Sequence, residues 1–411
     1  MSPKELNKYF TEFTLNESGK ENTKTLIEYF DYAGVRVPRY INEYWTSKQR
    51  QNNPIHEISY RACYKAELPR FFISLLSKEK EVIYDPFCGR GTTVIEAALL
   101  NRNIIANDIN PLSIILSKPR LFIPSLNDIE DRLNQIRFRK KLKAEIDLSM
   151  FYHPETESEI VSLRNYLKRK KENEDEDYID DWIRMVATNR LTGHSKNFFS
   201  VYTLPPNQAV TQDRQIKINK VRNQKPEYKN VKLIILKKTR DLIKGLNQNL
   251  IFQLKNIGLK ANYLNCDARF THNLKSYSVQ LTVTSPPFLN IVNYIEDNWL
   301  RCWFNNIDAK SVSRKITVTK KLEDWAKIMG DVFTELFRIT KKDGYVAFEV
   351  GEIRKGKIKL DEHVVPLGIN AGFECVGIVI NQQEFTKTAN IWGINNNSFG
   401  TNTNRIVIFR K

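Results

Sequence analysis

The stretch LTVTSPPFLN, residues 281–290, sets an apolar run against a hydroxyl residue, two prolines and an aromatic ring. Consecutive prolines remove two backbone donors, so Pro286 and Pro287 do not belong inside a central strand. Placed just past the end of one, they stiffen the backbone and hold Ser285 and Phe288 as a hydroxyl and a flat ring on a rigid frame. A second stretch, DPFCGRGTT at 85–93, reads as a glycine turn. Gly89 and Gly91 remove side chains where backbone must bend sharply and approach a ligand, and the helix that follows offers free amide donors at its N-terminus.

The position three after Gly91 is Val94 rather than a third glycine, so the dinucleotide fingerprint is incomplete. Asp85 ends the strand before the turn, where it would repel a pyrophosphate and pair with a cationic group. Asp108, in ANDINP, ends the next strand, a position that accepts hydrogen bonds from both hydroxyls of a ribose. Asp267, in CDA, closes a third strand and is placed to bind an adenine amino group. Three neighbouring strand tips ending in Asp describe a ligand with an adenosine and a positively charged amino-acid portion. S-adenosyl-L-methionine meets that description.

The elements that must position these residues alternate from Glu81 onward. EVIYD (81–85) is a short apolar strand, TTVIEAALLNR (92–102) a helix and NIIANDI (103–109) a second strand. A β-turn-α-β alternation implies a parallel sheet with its ligand at the carboxyl ends of the strands. Near 231 the pattern resumes with one long amphipathic helix closed by Gly258, a third strand over 260–268 ending in Asp267, and a fourth, VQLTVT (279–284), that runs into Ser285. A helix over 320–340, the turn KKDG and strands at 345–351, 375–380 and 404–411 complete the pattern. Residues 119–230 break it. They hold the charge block KRKKENEDED (168–177), which reads as a solvated helix or loop, and WIRMVATNRLTGHSKNFFSVYTLPPNQAV (182–210), which has no clear period. The organisation expected is an N-terminal extension (1–54), a first catalytic part (55–118), an insertion (119–230) and a second catalytic part (231–411).

With 411 residues and 41% hydrophobic content the chain is long enough for a large folded domain with an insertion. Its 64 Lys and Arg against 47 Asp and Glu give a net charge of +17, which favours a polyanionic partner, nucleic acid first. The five cysteines show no C-x-x-C spacing, so neither a zinc ribbon nor a disulfide framework is expected, and reduced thiols fit a cytoplasmic setting. No metal site, signal peptide or membrane span is expected.

Together, DPFCGRGTT, NDINP, CDA and TSPPF resemble the motifs of DNA amino-methyltransferases, which methylate exocyclic nitrogens. TSPP is similar to the cytosine-N4 branch, and the wider stretches 56–72, 189–210 and 385–407 resemble bacterial modification methylases that accompany restriction enzymes. The resemblance implies a doubly wound, mostly parallel, seven-stranded Rossmann-like S-adenosylmethionine methyltransferase sheet with a large insertion. It implies that Phe87 packs near the cofactor adenine, Gly89 and Gly91 lie beneath the methionine part, with Thr92 beginning the helix, and Asp85 meets the amino group. Asp108 with Ile109 would hold the ribose, and Asp267 with Ala268 the adenine. Ser285, Pro286, Pro287 and Phe288 would be catalytic, and double-stranded DNA the partner. The insertion would read DNA, although it falls between the second and third strands rather than just before the catalytic strand.

The chemistry suits these residue types. An exocyclic amine conjugated to its ring is a poor nucleophile, and acceptors against its N–H groups favour sp³ character. Ser285 Oγ supplies one acceptor and the Pro286 carbonyl the other; Phe288 offers a face on which a flipped base stacks. No Pro-Cys pair exists, which disfavours cytosine-C5 methylation, and the H-x-E and P-C-x-x-C pattern of zinc deaminases is missing. Adenine-N6 methylation on the same scaffold, tRNA guanine-N2 methylation and a non-catalytic DNA-binding module are the alternatives. For DNA contact the candidates are the basic segments 47–53 and 217–225, Arg184, Asn189, Arg190 and His194, and the Asn-rich loop 395–404.

Overall fold

The structure, a computed structural model, describes residues 1–15, 24–45, 53–61, 63–205, 208–287, 294–316, 319, 321–353, 358–382 and 403–411. The catalytic candidate Phe288 lies outside the described residues, as do most of 47–53 and of the loop 395–404.

Helix α1 (Pro3–Thr11) opens the chain, followed by β1 (Leu26–Tyr32) and β2 (Val35–Asn42). Next come α2 (Glu67–Leu76), β3 (Val82–Asp85), α3 (Thr92–Leu99), β4 (Asn103–Asn107) and α4 (Leu112–Ser117). Helices α5 (Leu126–Gln135), α6 (Pro154–Glu172), α7 (Tyr178–Arg190) and α8 (Gln212–Arg222) fill the insertion, and α9 (Val231–Ile243) and α10 (Gln248–Gly258) lead to β5 (Asn262–Leu264). After β6 (Val279–Thr284) come α11 (Tyr294–Phe304), α12 (Ala309–Lys315), α13 (Leu322–Ile339) and β7 (Thr340–Val350). A small ribbon of β8 (Glu352–Ile353) and β9 (Ile358–Lys359), then α14 (Leu360–Asn370), β10 (Glu374–Gln382) and β11 (Thr403–Arg410), end it.

The main sheet has the order β1-β2-β10-β11-β7-β6-β3-β4-β5. Among the described residues it therefore has nine strands, not the seven expected. The central strands β7, β6, β3, β4 and β5 are mutually parallel, and β11 runs antiparallel between β7 and β10. The two additional strands are an N-terminal hairpin whose β2 pairs in parallel with β10. Its turn is made by Ala33 and Gly34, both at positive φ (49° and 79°), the geometry that matches strand twist in a two-residue hairpin. Alternating apolar residues around that Ala-Gly pair were the available signal.

Three further differences have local causes. The single helix expected from 231 is two, because Gly245 takes φ +81° and the Asn247 side chain caps a new start by accepting from Leu250 N. The third strand is short, and Asp267 lies beyond its end. The turn KKDG does not separate α13 from β7 but bulges within the strand: the ladder against β6 jumps from Val279↔Thr340 to Leu281↔Tyr345, with Asp343 at φ +62°.

One hydrophobic cluster on one face of the sheet joins Leu6, Phe72, Ile83 and Ile104 to Phe151, Trp182 and Ile235 of the helical insertion and α9. The other face is covered by α13 and α14, whose Phe333 and Val364 share a cluster with Phe409 of β11. The stretch 182–190 lacks a period because α7 is buried all round: Trp182 through Arg190 are all buried. Among the described residues, no helix is long and apolar enough to cross a membrane.

Candidate active site

Strand β3 delivers Asp85 to the centre of the sheet, where the chain turns through Pro86–Arg90 into α3. Asp85 is 1% exposed, and its carboxylate is fully engaged. Oδ1 accepts from Thr284 Oγ1 at 2.6 Å and from Phe87 N at 3.1 Å, and Oδ2 accepts from Tyr64 Oη at 3.3 Å. Burial pushes this carboxyl up to about 6, against the pull of those donors. The bond to Thr284 ties the tip of β3 to the tip of β6, one residue before Ser285.

Two glycines make the turn possible. Gly91 sits at φ +83°, and a Cβ there would fall 2.5 Å from Ser117 Cβ, so no other residue fits. Gly89, at φ +52°, donates its amide to Asp108 Oδ2 at 2.7 Å. Buried guanidiniums brace the turn from below. Arg90 donates to the Ile58 carbonyl at 2.8 Å, and Arg120 donates to the carbonyls of Arg90 and Ile55. Burial lowers Arg120 to about 9.

Asp108 stands at the tip of β4, with Oδ1 accepting from Asn110 N at 2.9 Å. Burial raises its carboxyl to about 6, while the amides of Asn110 and Gly89 draw it down. Asp267, beyond β5, is held by Arg269, which donates from Nε at 3.0 Å to Oδ1 and from Nη2 at 2.7 Å to Oδ2. Partial burial pushes Asp267 up, but the bonds from Arg269 outweigh it and leave the carboxyl below its ordinary value.

One cleft brings Phe87, Gly89, Asp108, Ile109, Asp267, Ala268, Ser285 and Pro287 together. Asp85, Gly91, Thr92 and Pro286 do not line it. Thr92 is buried and accepts from Arg90 Nε at 3.2 Å. The remaining wall was not singled out in the sequence: Tyr60, Asn110, Cys266, Lys315, Ile316 and, from α13, Ile328, Met329 and Val332. Tyr60 was signalled only as part of the aromatic segment 56–72. That segment is a strap: Ser59 O accepts from Arg301 Nη2 at 3.0 Å, and Arg61 holds Asp297 bidentately at 2.7 and 2.8 Å.

The hydroxyl of Ser285 is backed by Glu349, a buried residue of β7 that also accepts from Asn404 Nδ2 at 3.1 Å. Burial raises the Glu349 carboxyl, and its bonds with Ser285 and Asn404 lower it in part. The Pro287 carbonyl accepts from the indole Nε1 of Trp325 on α13 at 3.0 Å. Asn110 Nδ2 is buried, lines the cleft and has no partner among the described residues, although Asn110 Oδ1 accepts from Leu112 N at 3.1 Å. An orphaned donor beside Asp108, flanked by apolar side chains and two carboxylates, fits the hydroxyls and flat base of an adenosine.

Of the other DNA candidates, Arg184 turns inward to Glu176 and to the Leu167 carbonyl, and Arg190 stacks on Phe198 at 3.9 Å. Asn189 is buried and donates to Ser59 O at 3.4 Å. His194 lines a separate depression with Lys196, Lys225 and Lys229.

The fold is an α/β fold with a mixed, mostly parallel sheet. Residues 5–118 match a family model described as DNA methylase, a match that takes in the N-terminal hairpin, the strap, the glycine turn and Asp108. No curated protein matches the chain. Among solved structures, a Thermus thermophilus protein provisionally described as a DNA modification methylase is 20% identical over 36% of this chain and 50% of its own, with a TM-score of 0.22. The chain thus spans about half the length of that protein. The same protein complexed with S-adenosyl-L-methionine aligns at 21% identity over 36% of this chain and 51% of that one, with a TM-score of 0.23. The rRNA methyltransferase AviRa of Streptomyces viridochromogenes is 10% identical over 90% of this chain and 94% of its own, with a TM-score of 0.36.

Proposed function

We propose that the protein is a site-specific DNA methyltransferase that uses S-adenosyl-L-methionine to methylate the exocyclic N4 of a flipped cytosine in double-stranded DNA, as the modification half of a restriction–modification system whose endonuclease acts separately. The observation that carries this is the meeting of Ser285 and Pro287 with Phe87, Asp108 and Asp267 in one cleft.

The cofactor would supply a sulfonium methyl as electrophile. Asp108 and Asn110 take the ribose hydroxyls, Phe87 and Ile109 flank the adenine with Ala268, and Asp267 accepts from its amino group. Asp85, locked to Thr284 and Tyr64, acts chiefly by registering the two strand tips. Ser285 donates a hydrogen bond to Glu349, which leaves the Oγ lone pairs to accept from the cytosine amine; the Pro286 carbonyl takes the second N–H, which needs that carbonyl to face the cleft that Pro286 itself does not line. Trp325 fixes the proline loop through Pro287, so the acceptors are oriented before the base arrives. Phe288 stacks on the flipped base, and the insertion with the basic segment 217–225 contacts DNA. Adenine-N6 methylation differs from this reading only in the base that enters, and tRNA guanine-N2 methylation in the nucleic acid as well.

Mass spectrometry of nucleosides from DNA treated with the protein and cofactor tests it. N4-methylcytosine is the expected product, N6-methyladenine without it would assign the other DNA branch, and methylation confined to tRNA would reject the DNA substrate. Ser285→Ala should lower turnover about 100-fold or more while leaving cofactor affinity intact.

A further inference from the structure

A second cleft, sharing no residue with the first, lies between α1, the end of the N-terminal hairpin and α2. It has a volume of about 330 Å³ and is lined by Tyr9, Tyr44, Trp45 and Phe71 together with Glu67 and Arg70. The rings form one cluster around Phe71, whose centroid is 5.7 Å from Tyr44, 5.7 Å from Trp45 and 6.3 Å from Tyr9. Two walls are set in place from the sheet, because Asn381 Oδ1 on β10 accepts from the backbone amides of Tyr44 and Trp45 at 2.7 and 3.2 Å.

Glu67 is the feature that calls for a ligand. It is 5% exposed, and both carboxylate oxygens are buried without a hydrogen-bond partner among the described residues. The nearby Arg70 does not answer it: its Nε lies 2.9 Å from Glu96 Oε2, and Glu96 is also bound by His56 Nε2 at 2.6 Å. A buried carboxylate left without donors costs free energy, and burial accordingly pushes the Glu67 carboxyl above its ordinary value. Aromatic faces attract cations, the more so where water is thinned. A quaternary ammonium would satisfy the rings but has no N–H for Glu67; a primary ammonium satisfies both.

We propose that this cleft binds a primary alkylammonium group, held by hydrogen bonds to Glu67 and by the faces of Tyr44, Trp45 and Phe71. Such a group comes either from a free polyamine or from the lysine side chain of a partner protein. The volume is that of a small-ligand pocket, and the alkyl stem has the apolar walls it needs.

Titration calorimetry on the full chain, with n-butylammonium, spermidine, tetramethylammonium and a lysine-containing peptide, tests this. Butylammonium should bind at least ten times more tightly than tetramethylammonium. Glu67→Gln, which keeps shape and removes charge, should weaken butylammonium binding at least tenfold while thermal unfolding stays cooperative. Phe71→Leu, which keeps Glu67, should weaken it several-fold. Tighter binding of spermidine than of the peptide assigns the free polyamine, and the reverse a protein lysine; either supports the site. Absence of butylammonium binding to the unaltered chain, or equal binding to Glu67→Gln, overturns it.

Discussion

Asp85 and Asp108 end adjacent parallel strands, carry the same charge and are both raised to about 6 by burial, yet they face different tasks. Asp85 spends its lone pairs on a neighbouring strand, a backbone amide and a tyrosine, and stays off the cleft. Asp108 is held by two amides of the loops around it and keeps an edge on the cleft. On the proposed reading, a carboxylate at a strand tip becomes a ligand only where its own bonds leave an oxygen facing outward; elsewhere it is scaffold.

Removing Asp108 should have the largest effect. Asp108→Ala deletes the proposed ribose acceptor and strands the amides of Gly89 and Asn110, so cofactor affinity measured by calorimetry should fall on the order of 100-fold. If Asp85→Asn weakens binding as much as Asp108→Ala does, the distinction between scaffold and ligand collapses; the expected loss is under threefold. The same variant sharpens the contrast through stability. Asp85 prefers its protonated form in the fold, so its stabilising share is full below its ordinary value of 3.8 and is lost as pH rises through about 6. Asp85→Asn should therefore flatten the fall of stability across pH 4 to 6 and gain on the order of 3 kcal/mol relative to the parent at pH 8, read from denaturant midpoints. The smallest effect concerns the third aspartate. Arg269→Ala releases the Asp267 carboxylate from its partly exposed ion pair, and cofactor affinity should rise by about threefold. A loss instead would mean that the pair itself shapes the adenine end.

Much of the centre was legible because each signal there is local. The apolar runs at 81–85, 103–109 and 279–284 are short and bounded by turn residues, and the strands fall on them with only a residue or two of difference. Gly91 was legible as a turn, and its neighbour Ser117 shows why no side chain fits. What escaped depends on contacts between distant segments. Glu349 reads as an ordinary strand residue until β6 and β7 lie side by side, and Trp325 looks like one more apolar position of an amphipathic helix until its indole meets the Pro287 carbonyl. The hairpin strands were passed over because their neighbour, β10, lies at the far end of the chain. The insertion hid its helices for the opposite reason: α7 is buried on every side and shows no stripe.

The parallel pairing of Arg39 through Asn42 with Ile378 through Asn381 has a consequence for how the protein is made. On a ribosome the hairpin emerges long before the strand it adds to. During that interval its apolar positions, including Leu26 and Tyr29, which remain exposed even after folding, have no sheet to join. Collapse to the finished topology should therefore be slow, with the waiting hairpin as the segment most in need of chaperone protection.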